Sequence, residues 1–233
     1  MSEEPNTGRL AHPLTQAAVD AANKLYACVE HWAREDRILR RLAECFPSNT
    51  CLDHVLPKAI ILNTLYATAV LAIEAMAEHI VHVLTRAGGR CDLDTVEQIA
   101  ALTGLGPKQD NTRHCLSFAS KYAHFFIDPT RFPILDSYAQ SALTWHLGQA
   151  SIAECLRGQS PYAGYVRQVD ALRQLAGVTC TYSELDHYLW LRGQRLAPDG
   201  KAPNKEAADL FARANEPGVA SLMATAFAGP QIA

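Results

Sequence analysis

Apolar residues recur three and four apart along almost the whole chain, and this period restricts the fold to packed helices. From Thr15 to Phe46 they fall at Ala18, Ala21, Ala22, Leu25, Tyr26, Val29, Trp32, Ile38, Leu39 and Leu42, the stripe of one long amphipathic helix. Pro13 precedes it, and Pro47-Ser48-Asn49 ends it. A second long helix is expected from about Leu56 to Arg86. It is apolar nearly all round early on and therefore central, with Gly88-Gly89 as its stop. Asp94 is expected to cap a short helix, Thr95 to Leu102, before a hairpin-like turn, Thr103-Gly104-Leu105-Gly106-Pro107. A helix from about Asn111 to Phe126 leads into a turn-rich loop, Ile127 to Pro133. Asp136 or Ser137 opens the next helix, which ends near Gly158; Tyr162 to Ala176 and Ser183 to Arg192 follow. Leu196 to Asn204 is a polar linker, and Lys205 to Phe227 makes closing helices that Pro217-Gly218 splits. No segment alternates with the period of a strand, and no repeat occurs. The expected fold is all-α, in three regions: an N-terminal helical region 1–90, a region 91–195, and a linker with C-terminal helices, 196–233, packing on the first lobe.

Composition narrows the class. Hydrophobic residues make up 48% of the 233 and charged residues 19%, enough apolar surface to bury about 70% of the chain without disulfide staples. The longest apolar stretch, Ala59 to Ile73, is interrupted by Asn63, Thr64 and Thr68 and is shorter than the roughly 20 residues of a bilayer span. The first ten residues, MSEEPNTGRL, contain no apolar signal core. Seven cysteines, an odd number with no CxxC, read as free, mostly buried thiols in a reducing cytoplasm. The formal charge of −3 argues against a uniformly basic nucleic-acid coat. Lys108, Arg113, Lys121, Arg131, Arg157 and Arg167 are instead expected to make one locally positive face.

The most informative segment runs from Leu102 to Ala139. A Gly-x-Gly turn, Gly104 and Gly106, is followed by a small-residue helix with one lysine, Ser117-Phe118-Ala119-Ser120-Lys121-Tyr122. A loop then delivers Phe132-Pro133-Ile134-Leu135-Asp136-Ser137 to a helix start. Asp136 emerges at a helix N-terminus from an apolar wall. Read by itself, such an aspartate is a helix cap, and Phe118, Phe125, Phe126 and Phe132 are core. His79 and His82 stand near Glu74 and Glu78, but with no HExxH they read as ordinary helix residues, and no metal is expected. The charged run from Arg34 to Arg41 reads as a solvated helix face.

This constellation resembles the helix-hairpin-helix DNA glycosylase superfamily, the HhH-GPD group, and within it the 8-oxoguanine-type and prokaryotic anti-phage glycosylases. The resemblance spans about Val96 to Trp190, centred on Phe132–Tyr138, with weaker patches at Phe118–Phe125 and Leu185–Trp190. It implies a cofactor-free enzyme that excises a flipped, modified base from double-stranded DNA. A glucosylated hydroxymethylcytosine of phage DNA is favoured over 8-oxoguanine, and the enzyme is a cytoplasmic monomer in antiviral defence. The family's essential aspartate carries over onto Asp136. The family's lysine lies about nineteen residues earlier, and that position here is Ser117; Lys121 follows one turn later and is the second catalytic candidate beside Asp136, aiding base or phosphate binding or positioning. Lys108 matches by local pattern but lies 28 residues before Asp136. The resemblance then assigns Gly104, Gly106, Lys108, Arg113 and Ser117 to DNA binding, and Tyr122, His124, Tyr138 and Trp190 to the base pocket.

The chemistry fits these residue types. Breaking an N-glycosidic bond builds positive charge on the sugar, which a carboxylate held beside C1′ stabilises. A lysine there forms a Schiff base; a serine cannot, so the expected product is an abasic site. The competing expectation is a noncatalytic helical module that binds DNA or protein.

Overall fold

The structure is a computed structural model; it describes residues 9–102, 113–196 and 204–228. Eleven α-helices occur among these residues: α1 Gln16–Ala27, α2 Glu30–Cys45, α3 Leu52–Leu65, α4 Ile73–Arg86, α5 Leu93–Ala100, α6 Leu116–Phe126, α7 Ser137–Leu156, α8 Pro161–Ala176, α9 Tyr182–Leu196, α10 Lys205–Ala212 and α11 Pro217–Ala226. A 3-10 turn, Arg213–Asn215, joins the last two. The all-α expectation therefore holds, with one small exception. Two-residue strands, β1 Ala101–Leu102 and β2 Arg113–His114, pair antiparallel and bracket the Gly-x-Gly segment. No described helix is long and apolar enough to cross a membrane.

The helices group into two interleaved units. One holds the chain up to Ala33, Asp136–Gln159 and everything from Gly164; the other holds Arg34–Leu135 and Ser160–Ala163. This division cuts across the linear regions 1–90, 91–195 and 196–233.

In the first unit α1 packs on α9 and α11, and α7 on α9. Gly193 makes the last contact possible: a Cβ there would lie 2.1 Å from the Tyr138 carbonyl oxygen. The expected single helix from Thr15 to Phe46 is broken at Cys28–Val29, although no proline or glycine lies there. Residues six apart on a straight helix are about 9 Å apart along its axis and on different faces. Tyr26 and Trp32 instead stack at 5.0 Å, with Tyr26 against His187 at 3.7 Å and Trp32 edge-on to Trp190 at 5.1 Å. Only a broken helix lets this ring cluster form. His146 is fully buried, bonded through Nδ1 to the His12 carbonyl and through Nε2 to the Tyr188 hydroxyl, both at 2.9 Å. Burial lowers its pKa to about 4.

In the second unit α3, α4, α5 and α6 pack in succession, and α6 returns to α3. Val55, Ala59, Leu62, Met76, Ile80, Val96, Ile99, Phe118 and Phe132 are its fully buried apolar core. The helix expected from Leu56 to Arg86 is two helices. The Asn63 side chain bonds Thr68 and Val70 and turns the chain between them, a side-chain turn that apolar periodicity does not encode. Asp92, not Asp94, caps α5, in a reciprocal capping box with Thr95, and α6 starts at Leu116 rather than Asn111. Gly89 N–H closes α4 on Leu84 O at 2.8 Å, as its sequence signals. All seven cysteines are free, but Cys28, Cys45 and Cys51 are exposed, which corrects the reading of mostly buried thiols.

Candidate functional site

Helix α6 carries a single lysine, Lys121, among small and apolar residues. Lys121 is 4% exposed. Its Nζ donates to Ser117 Oγ at 2.8 Å and lies 5.6 Å from the centre of the Tyr66 ring. The i,i+4 relation thus joins the two residues that compete for the lysine position of the resemblance.

The loop after α6 is held at every few residues, which is why an irregular stretch can be buried. Thr130 N–H and Oγ1 donate to Asp128 Oδ1 at 2.9 and 2.6 Å. His124 Nδ1 bonds the Phe132 carbonyl at 2.8 Å, and the Tyr162 hydroxyl donates to the Pro133 carbonyl at 2.8 Å. Tyr162 is itself tied by its backbone N–H to Glu97 Oε1. Leu135 N–H donates to Ser120 Oγ at 3.0 Å. Lys121's neighbour in sequence, Ser120, therefore fixes the residue before Asp136.

Asp136 opens α7 and is half-buried. Its Oδ1 accepts from the N–H groups of Tyr138 and Ala139 at 2.8 and 3.0 Å. It is the cap of this helix. Tyr138 and Trp190, both half-buried, meet edge to face at 6.4 Å in the same unit.

Other expected site residues lie elsewhere. Tyr122 is fully buried and donates to Asn49 Oδ1 at 2.8 Å; His124 is 3% exposed, its pKa lowered to about 4 by burial. Both belong to the core of the second unit, because their polar atoms are used to hold a turn and the loop, which corrects their assignment to a base pocket. Gly104, Gly106 and Lys108 lie outside the described residues, and Arg113 enters only through the β2 backbone. The expected positive face is reduced accordingly. Lys121 is buried, Arg157 pairs with Glu154 at 2.9 Å, and Arg131 lines a cleft of about 1070 Å³ with Arg86 and Arg90 but also with Asp92, Asp94 and Asp128.

Sequence reasoning missed one buried lysine. Lys58 is 1% exposed, with Nζ donating to Ser48 O at 3.0 Å and to Asn49 Oδ1, and lying 5.7 and 5.4 Å from the ring centres of Tyr122 and Phe126. Burial lowers its pKa to about 8. Its signal was a lysine directly before the longest apolar run, which reads equally well as a helix boundary.

Against known proteins, the family model HI_0787_N, an N-terminal domain, matches residues 17–131. An uncharacterized protein of Haemophilus influenzae is 27% identical over 161 residues, covering 66% of this chain and 73% of that protein. No solved structure matches.

Proposed function

We propose that this protein is a DNA N-glycosylase that excises an extruded, modified base from double-stranded DNA. The observation that carries the reading is the braced chain from α6 to Asp136: a helix in which the buried Lys121 donates to the half-buried Ser117, then a loop held by His124, Tyr162 and Ser120, then a carboxylate at a helix N-terminus. In this reading Asp136 stabilises the developing sugar cation with the oxygen not engaged by the cap. Tyr138 and Trp190 supply ring faces for the extruded base. Lys121 is a positioning residue that orients Ser117, and water is the nucleophile, so the product is an abasic site. The enzyme acts as a cytoplasmic monomer in defence against phages carrying hypermodified DNA.

A second reading, a noncatalytic helical module, is favoured by the use of Asp136 Oδ1 as a cap. Asp136→Asn separates the two, because asparagine caps as well as aspartate. Duplexes carrying glucosylated hydroxymethylcytosine, 8-oxoguanine, alkylated and deaminated bases are incubated with the protein, and released base is detected by mass spectrometry. The enzyme reading expects release from one class, abolished in Asp136→Asn at an unchanged melting temperature. It also expects no borohydride-trapped adduct and residual release in Lys121→Gln. A folded, DNA-binding preparation that releases nothing from any duplex refutes it.

A further inference from the structure

Arg192, on α9, is 5% exposed, and an arginine keeps its charge when buried. A buried charge is tolerated when it is paired. Among the described residues no carboxylate pairs with it. Its Nε donates to the Tyr188 hydroxyl at 3.4 Å and its Nη2 to the Ala228 carbonyl at 3.5 Å, both long for N–H···O bonds. Rings flank it: the guanidinium lies 4.4 Å from the centre of the Trp145 ring and 5.4 Å from that of Phe227. They shelter the charge without neutralising it.

The guanidinium is also held in orientation. The His12 carbonyl accepts from His146 Nδ1, so Nε2 of this neutral ring accepts from the Tyr188 hydroxyl. The Tyr188 oxygen is then left to accept from Arg192 Nε. This relay fixes the Nε edge and leaves N–H groups at the other end that the single Ala228 bond does not use. Trp145, which also stacks on His12 at 3.9 Å, adds a donor: its Nε1 is buried with no acceptor among the described residues. Arg195 follows three residues later, on the same side of α9, 4.8 Å from the Phe227 ring and 5.5 Å from that of Phe211. The residue is exposed, while burial of its guanidinium and the nearby charge of Arg192 lower its pKa. All of these residues belong to the first unit.

We propose that Arg192 and Arg195, with Trp145 Nε1, form a site for the phosphoryl group of a small molecule, either free phosphate or a phosphate monoester. The proposal goes beyond the glycosylase reading and does not depend on it. Two like charges close enough to repel, with no acid pairing them among the described residues, call for a counter-charge. A phosphoryl group supplies about two negative charges near neutral pH and accepts the two N–H groups at the open end of a guanidinium. A carboxylate supplies one charge. A duplex backbone fits less well, because each phosphodiester carries one charge and Arg192 is almost wholly enclosed. The exposed Arg195 gives a small anion its way in, and the rings of Phe211 and Phe227 border that approach.

The test uses the full chain and isothermal titration calorimetry at fixed ionic strength, with inorganic phosphate, phenyl phosphate and benzoate as probes. The wild type is expected to bind a phosphate probe more tightly than benzoate; its preference between the two phosphates separates free phosphate from a monoester. Arg195→Gln, on an exposed side chain, is expected to weaken that binding about tenfold, the worth of a hydrogen bond to a charged group, at an unchanged melting temperature. Trp145→Phe keeps a ring, removes the Nε1 donor and is expected to weaken binding severalfold. Arg192→Met is expected to abolish it; if that variant does not fold, the other two decide. No phosphate binding by the wild type, tighter binding of benzoate, or wild-type binding in both Arg195→Gln and Trp145→Phe overturns the proposal. Displacement of phosphate by an undamaged DNA duplex assigns the arginines to a DNA backbone and overturns it too, leaving the glycosylase reading standing.

Discussion

Replacing Lys58 with methionine should change how the protein's stability responds to alkali. The lysine sits at 1% exposure with its ammonium bonded to the neutral acceptors Ser48 O and Asn49 Oδ1, so burial disfavours its charged form. Its pKa falls from 10.5 to about 8. Between these values the unfolded chain binds a proton that the folded chain releases, so wild-type stability rises with pH across that window. The full gap corresponds to roughly 3 kcal/mol at 1.36 kcal/mol per unit. An effective interior dielectric nearer 20 than 4 makes about 2 kcal/mol the expected gain. Methionine keeps the buried stem without the charge, so the variant should lack this gain while sharing every other titration. Urea unfolding of both proteins at pH 7 and pH 10 isolates the effect as a difference of differences. At pH 7 the substitution should cost less than about 1.5 kcal/mol, because volume is kept and, of the two acceptors that lose the ammonium, Asn49 Oδ1 retains the Tyr122 hydroxyl. If wild type and Lys58→Met gain or lose stability in parallel from pH 7 to 10, the lysine is not held at a lowered pKa and the reasoning fails.

Two further outcomes follow from the packing. Gly193→Ala places a methyl 2.1 Å from the Tyr138 carbonyl oxygen and 2.5 Å from its carbon, so α7 and α9 must separate; chemical denaturation should show a loss of about 3 kcal/mol, the upper range for overpacking. His124 and His146 stay neutral in the fold down to about pH 4, whereas in the unfolded chain they take up protons below about 6.5. Stability should therefore fall as pH drops from 6.5 towards 4, by about 2 kcal/mol for each histidine. His124→Gln, which keeps a side-chain hydrogen bond within reach of the Phe132 carbonyl, should remove that residue's share of the slope in a pH series of thermal melts.

The candidate site was partly legible before any coordinates. The lysine in a small-residue helix and the aspartate at a helix start both stand where the sequence puts them, since each is a matter of a few neighbouring residues. The surroundings were not legible. Aromatic residues near the aspartate in sequence, such as Tyr122, read as well as pocket walls as they do as core, and only the contact with Asn49, 73 residues away, decides the matter. The same holds for Tyr162, whose grip on Pro133 spans 29 residues. Tyr66 was hidden inside an expected helix, so its place beside Lys121 had no sequence signal.

For the fold, the sequence by itself determined what depends on hydrogen bonds and contacts three or four residues apart. The apolar period set the helical class. Asp136 set the start of α7, Gly88-Gly89 the end of α4, and Pro217 the start of α11, because caps, left-handed turns and missing donors act within one turn of the backbone. Tertiary structure decided where helices break without such residues. The Cys28–Val29 break lets Tyr26 and Trp32 join one ring cluster with His187 and Trp190, and the turn after Tyr66 is held by the Asn63 side chain at a cost in the left-handed backbones of Ala67 and Ala69. It also decided which of the chain's polar groups are buried. Lys58, His124 and His146 look like surface residues in a helical pattern; partners in the loops flanking their helices satisfy Lys58 and His124, and partners from distant sequence, His12 and Tyr188, satisfy His146, which makes their burial tolerable.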